Sequence, residues 1–275
     1  MRKLGLIAGG GALPVSLARH CVSIQRPVFV VRLKGFADAE LAEFPGIEAG
    51  VAELGKGIRA LRDAGCESVC LAGIVARPDF RNLKPDLRGL AALPGALAAA
   101  RHGDDRLLSF LVGEFEKEGF VVEGADQIAD DLRLGTGPIG RHSPRPSDSL
   151  DIERALVAAR TIGRLDAGQS AVSCDGLILA LEAQEGTDAM LGRVAGLPDA
   201  LHGSPTDRRG VLAKACKPDQ ERRVDLPTIG PETVRRAADA GLAGIVGEAS
   251  LILVLDRRAV IELADERGIF VMGVT

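Results

Sequence analysis

Lys3-Leu4-Gly5-Leu6-Ile7-Ala8, then Gly9-Gly10-Gly11, then Ala12-Leu13-Pro14 is the stretch that decides how the first half of this chain folds. The apolar run has the length of a strand. The proline sits where the first turn of a helix accepts one, and that helix is expected to run to about Cys21. A strand, a glycine loop and a helix bring backbone N–H groups and the positive end of a helix dipole towards one point, where an anion can bind. The same arrangement also serves as a plain glycine turn that lets strand and helix pack closely. The loop is not GxGxxG. The next apolar run, Val28 to Leu33, ends in Arg32-Leu33-Lys34 with no acidic residue, so a nicotinamide dinucleotide site has little support. Contact between the loop and a phosphate is the expectation.

Outward from there, Ser68-Val69-Cys70-Leu71-Ala72-Gly73 reads apolar throughout, as buried parallel strands do. Gly73 stands at its carboxyl end, where ligands bind in open α/β sheets. Residues 36–50 read as irregular, and a helix is expected over Gly57 to Ala64. Arg77-Pro78-Asp79-Phe80 and Arg81 to Arg88 read as a polar loop, and Leu90 to Ala100 as a small-residue helix or helix pair, bent at Pro94-Gly95. Asp104 and Asp105 open an amphipathic helix that buries Leu107, Leu108, Leu111, Val112 and Phe115. They read as N-cap residues, with cation or ligand-hydroxyl binding the competing role. Phe120 to Gly124 completes the pattern. The whole predicts a doubly wound, Rossmann-like domain over residues 1–134.

Residues 135–147 are rich in Gly, Pro and Ser, and a helix over Leu150 to Gly163 follows them. Together they read as a linker and a bridging helix over 135–163, leading into an α+β domain over 164–275 with the active-site cleft between the two domains. Asp175-Gly176 between two apolar runs is a hairpin signal. Leu177 to Leu181 runs into Glu182-Ala183-Gln184-Glu185-Gly186-Thr187-Asp188. Lys214 stands alone in Val211 to Cys216, and Asp225-Leu226-Pro227-Thr228-Ile229-Gly230 precedes a helix. Carboxylates, a hydroxyl and a lone lysine at the ends of buried elements suit a divalent metal and a phosphate. Strand-end turns with one surface ion pair are the plain alternative. An isolated lysine is costly to bury, so exchanging Lys214 for methionine is expected to leave the fold intact or more stable. Asp225 reads as free of capping duty, which falls instead to Glu232.

The 275 residues allow two ordinary domains, and a composition 46% hydrophobic and 26% charged is that of a globular protein. A net charge of −4 argues against nucleic acid as a partner. Five cysteines with no CxxC pair fit reduced, buried thiols, and four scattered histidines offer no zinc spacing. No apolar run reaches the roughly 20 residues that span a bilayer. The glycines and Pro14 interrupt any resemblance of the first residues to a signal peptide.

The chain resembles the LpxI family, the UDP-2,3-diacylglucosamine pyrophosphatases of lipid A biosynthesis. The likeness rests on Leu6 to Gly11 with Leu13-Pro14, Gly103-Asp104-Asp105-Arg106-Leu107-Leu108, and Glu185-Gly186-Thr187-Asp188-Ala189-Met190. It rests also on Leu212-Ala213-Lys214, Lys217-Pro218-Asp219-Gln220, and Asp225-Leu226-Pro227-Thr228-Ile229-Gly230-Pro231. The resemblance implies Mg2+-dependent hydrolysis to UMP and 2,3-diacylglucosamine 1-phosphate (lipid X). It implies Asp225 and Asp188 as catalytic, metal-proximal carboxylates and Lys214 as the stabiliser of phosphate charge. Gly10, Gly11, Ala72, Gly73, Asp104, Asp105 and Thr187 join Asp188 and Lys214 in binding substrate. It further implies a cytoplasmic protein, peripheral at the inner membrane of a Gram-negative cell, and a homodimer is expected because two-domain chains with a long exposed arm often exchange domains. A non-catalytic UDP-sugar or lipid carrier and a nucleotide-dependent Rossmann oxidoreductase are the rival readings. Metal dependence separates enzyme from carrier.

Overall fold

The computed structural model describes residues 1–76, 83–218 and 220–275, so residues 77–82 of the expected polar loop, and Asp219, lie outside the described residues. The chain forms two compact units, one of Met1–Asp130 with Glu221–Asp225, the other of Asp131–Gln220 with Leu226–Thr275.

The first unit contains β1 (Leu4–Ala8), α1 (Ala12–Ser23), β2 (Val28–Leu33), β3 (Gly46–Ala49) and α2 (Leu54–Asp63). It continues through β4 (Ser68–Ala72), α3 (Leu87–Ala100), α4 (Asp104–Lys117), β5 (Val121–Val122) and α5 (Ala125–Ile128). The sheet is parallel in the order β3-β2-β1-β4-β5. The order reverses at β1, which makes the carboxyl ends of β1 and β4 the topological switch point. All five residues of β1 are buried, because helices cover both faces. Ile7, Val31 and Val69 pack with Ile58 and Leu61 of α2 and with Val112 and Phe115 of α4. Strand β3 falls in the stretch expected to be irregular. Its four residues include one large apolar side chain, Ile47, too few to register as a strand. Gly46 admits the close approach of Val30's backbone that pairs it to β2. Arg26 closes the sheet's amino end with a bidentate pair to Glu123, Nη2 to Oε1 at 2.7 Å, and a bond to Ser68 Oγ.

The second unit contains β6 (Gly137–Pro138), α6 (Ser149–Arg164), β7 (Ser170–Cys174), β8 (Leu177–Leu181), α7 (Gly186–Ala195) and β9 (Val211–Lys214). It continues through β10 (Thr228–Ile229), α8 (Pro231–Asp239), β11 (Gly244–Glu248), β12 (Leu253–Val254), α9 (Arg257–Arg267) and β13 (Phe270–Val274). Its main sheet runs β13-β11-β9-β7-β8. The β13, β11 and β9 strands are parallel, and β7 and β8 form an antiparallel hairpin. The turn is the expected Asp175-Gly176, with positive φ at both residues, as a two-residue hairpin requires. The expected strand over Leu251 to Leu255 is reduced to β12, which pairs with β10 in a small parallel ladder of its own. Both units are mixed α/β.

Leu134, expected at the end of the first domain, and the two segments expected to join the domains are integral to the second unit. Leu134 is fully buried in its core, and its N–H donates to Ile252 O at 2.9 Å. The Ile139 N–H donates to Val271 O at 3.0 Å, which lays the Gly-rich stretch along β13. Helix α6 is a covering layer, with Ala155, Leu156 and Ala159 packed on Ala171, Val211 and Ala213. Small residues four apart let that helix lie close to the sheet.

Candidate active site

The first unit holds a cavity of about 500 Å³ at the carboxyl ends of its strands. Ile7, Val31 and Leu71 contribute from the sheet, Ala92 and Leu93 from α3, and Leu108 and Leu111 from α4. The wall is mainly apolar, and among the described residues its carboxylates are Glu53, Asp104 and Asp225. An apolar pocket with a few convergent polar groups at a switch point is a ligand site by general experience. Of the expected site residues, Ala72, Gly73, Asp104 and Asp225 line it, as does Gly9. Gly10, Gly11 and Asp105 do not.

The glycine loop differs from expectation. The Gly9 N–H donates to Ala72 O at 2.8 Å and the Gly10 N–H to Ile74 O at 2.9 Å. The Gly11 N–H donates to Asp38 Oδ2 at 2.7 Å. All three amides expected to face a phosphate are therefore committed within the fold. A carboxylate of the protein occupies the anion position at the start of α1. Packing explains the glycines directly. A Cβ at Gly10 would meet Phe36 O at 2.8 Å, and one at Gly73, whose φ is +94°, would meet Gly10 O at 2.7 Å. Asp104 and Asp105 also differ, since the N-cap of α4 is Gly103, at a φ of +107° that glycine adopts freely. Both aspartates lie in the first turn, where negative charge complements the helix dipole. Asp225 ends a short turn, its N–H bonded to Glu221 O at 3.0 Å. Capping of α8 falls to Gly230, whose N–H meets Thr233 Oγ1. Glu232 is instead paired with Arg235 and Arg236.

In the second unit the carboxyl end of β9 meets the first turn of α7. Lys214 is 4% exposed, and its Nζ donates to Thr187 Oγ1 at 2.9 Å. Thr187 in turn donates to Glu182 Oε1 at 3.1 Å and lies 3.2 Å from Ser170 Oγ. Burial pulls the Lys214 ammonium below the ordinary lysine pKa, while Glu182 and Asp188 pull it back up. Asp188 stays half-exposed on the first turn of α7, with Arg236 Nε at 3.6 Å. The structure thus joins Thr187, Asp188 and Lys214, as expected from their positions. It adds Glu182 and Ser170, which the sequence analysis did not select. The signal for Glu182 was an acidic residue directly after an apolar strand. A cation and a hydroxyl beside a helix N-terminus suit an anionic ligand. In the neighbouring motif, Lys217 Nζ is bound to Asp166 at 2.7 Å and the Gln220 side chain accepts the Lys217 N–H at 3.0 Å.

Among the described residues no three His, Cys, Asp or Glu side chains gather closely enough to hold a metal ion. Asp188 and Asp225 are nevertheless oxygen donors of the kind Mg2+ takes. That ion commonly uses one or two carboxylates and completes its shell with water and substrate phosphate. Taken singly, Asp188 of the second unit and Asp225 of the first each offer that donor chemistry.

Residues 3–132 match the model of the LpxI N-terminal domain, and residues 135–272 match that of the LpxI C-terminal domain. The UDP-2,3-diacylglucosamine pyrophosphatase LpxI of Caulobacter vibrioides is 60% identical to this chain over 274 residues, covering 100% of this chain and 98% of that protein. With both domains matched in order and nearly every residue aligned, the chain belongs to the LpxI family.

Proposed function

We infer that this protein is a UDP-2,3-diacylglucosamine pyrophosphatase of lipid A biosynthesis. The observation that carries the inference is the 60% identity, end to end, with a relative of that name. The apolar cavity of the first unit supports it, since an acyl chain needs such a wall, and so does the buried Lys214-Thr187 pair of the second. In the reaction a water oxygen bonds to one phosphorus of the pyrophosphate. The bond from that phosphorus to the bridging oxygen breaks, and the bridging oxygen leaves with the other phosphate. The products are UMP and 2,3-diacylglucosamine 1-phosphate (lipid X).

In our reading the cavity wall seats acyl carbon, and Lys214, oriented by Thr187 and Glu182, stabilises negative charge on phosphate oxygens. Asp188 and Asp225 are each a candidate carboxylate for Mg2+. When bound, that ion neutralises phosphate charge and lowers the pKa of water. We place the protein at the cytoplasmic face of the inner membrane as a homodimer. Support for the homodimer comes from the uncharged edge strand β8 and from Val157 of α6, all with exposed apolar side chains. A solution mass equal to one chain would remove the dimer from the proposal.

The test is hydrolysis of detergent-dispersed UDP-2,3-diacylglucosamine by the purified chain, with and without chelator, followed by Mg2+ add-back. Loss of activity in chelator and recovery on add-back is the expected result. Full turnover in excess chelator would overturn the role of the ion. In the same assay Asp225→Ala should still bind the substrate yet turn it over at least about a thousandfold more slowly, a loss of roughly 4 kcal/mol. Retention of more than about a tenth of the rate would remove Asp225 from the reacting centre.

A further inference from the structure

Helix α3 is apolar on both of its sides. Gly89, Ala92, Leu93 and Ala96 line the cavity. Away from them Leu87, Leu90, Ala91, Pro94, Leu97 and Ala98 are exposed at spacings of three and four, a single stripe along the helix. Leu87 is 89% exposed and Leu90 56%. A surface helix ordinarily turns a polar face to water. Here the one charged residue between Leu87 and Ala100 is Arg88, and Glu114 holds its guanidinium at 2.7 Å. Ile74, which also lines the cavity, is 75% exposed, so the cavity wall itself reaches the surface with an apolar side chain.

Charge and length say what covers this stripe. Lys84 precedes α3 and Arg101 and Arg106 follow it, all exposed, in a chain whose net charge is −4. Asp86 beside them is turned inward to accept backbone N–H groups, which among the described residues flanking α3 leaves Asp104 as the exposed carboxylate at the far end. Basic flanks around an apolar stripe complement an anionic lipid surface. The 14 residues of α3 extend about 21 Å, short of a hydrocarbon core of about 30 Å. No helix among the described residues is long and apolar enough to cross a membrane. The fitting geometry is a helix lying in the interface. Pro94 removes the donor for the Leu90 carbonyl, which interfacial water and head groups can supply.

We propose that α3 is the surface by which this protein docks on a bilayer, its outer stripe in the head-group boundary and its inner side forming the wall of the cavity that a two-chain amphiphile enters. The proposal rests on the substrate reading above. Flotation of the full chain with vesicles of phosphatidylethanolamine and phosphatidylglycerol tests it, with phosphatidylcholine vesicles as the uncharged arm. The variant carries Leu87→Glu, Leu90→Glu and Leu97→Glu, three exposed positions off the cavity wall. Its bound fraction and its hydrolysis of vesicle-embedded substrate should both fall at least about tenfold, while hydrolysis in detergent micelles stays within about twofold of the parent. Flotation of the variant equal to that of the parent overturns the proposal, as does a parent that does not float. A parent oligomer that the variant loses, with vesicle binding unchanged, assigns the stripe to self-association instead. A parent that floats but cleaves no micellar substrate overturns the substrate reading and leaves docking standing.

Discussion

Lys214 shows how much a single residue's meaning depends on its neighbours. In the sequence it is a lysine among apolar residues, and replacing it by methionine looks harmless to the fold. In the structure its Nζ completes a buried chain through Thr187 to Glu182, which is itself 7% exposed. Removing the cation leaves a buried carboxylate without its compensating charge. We therefore expect Lys214→Met to destabilise the protein by about 1–3 kcal/mol. Adding Glu182→Gln should recover most of that loss. Urea unfolding of the two variants measures it, and a single variant as stable as the parent would mean that the network contributes nothing. If Lys214 has the phosphate-stabilising role proposed for it, turnover should fall at least about a hundredfold in both, roughly 2.7 kcal/mol in the barrier, because both variants lack that charge.

At the scale of elements, one carboxylate couples two helices. Asp86 Oδ1 accepts the Gly89 N–H at 2.8 Å as the N-cap of α3. Its Oδ2 accepts the Lys56 N–H at 2.7 Å in the first turn of α2. Burial acts to raise the Asp86 pKa, but these amides and Arg59 outweigh it and hold the carboxyl below its ordinary value. A depressed carboxylate contributes stability that is present above the ordinary aspartate pKa and lost as pH falls through the lowered one. Asp86→Ala should cost about 2 kcal/mol at neutral pH, the upper range for one cap because two helices lose a partner. The difference from the parent should vanish in acid. Thermal unfolding at both pH values checks this, and a difference that persists in acid would exclude the carboxylate as its source. Of the elements around it, α4 was legible from its spacing of Leu107, Leu108, Leu111 and Phe115. Strand β3 was not, because its pairing depends on β2.

The whole molecule carries an alkaline liability. All five cysteines are buried and none is in a disulfide. Burial raises the thiols of Cys21, Cys66 and Cys70, and raises that of Cys174 to about 11 from 9.0, with Asp175 and Asp151 adding to it. A thiol raised in the folded state favours folding fully below pH 9.0, and that contribution is lost as pH rises through the folded value. Lys214, lowered by burial, works in the opposite direction below 10.5, so the thiol contribution is read from the difference between the parent and Cys174→Ala. That difference should grow between pH 9.0 and about 11, to about 3 kcal/mol. The chain has no Tyr or Trp, so thiolate absorbance on unfolding is unobscured. Cys174→Ala should make the decline shallower, and an unchanged slope would point to another group.

Local chemistry written in the sequence determined much of this protein. The strand-glycine-helix opening, the Asp175-Gly176 hairpin and the order of the motifs each depend on residues a few positions apart. Periodicity and backbone preference act over that range, so these features could be read directly. Tertiary structure alone decided that Asp38 takes the Gly11 amide from 27 residues away, and that Glu182 stands behind Lys214. It alone placed residues 131–139 in the second unit and returned 221–225 to the first. Helix α3 marks the boundary most clearly. A helix apolar all round has no periodicity to say which side is buried, and only the packing of its neighbours leaves one side against the cavity and the other bare.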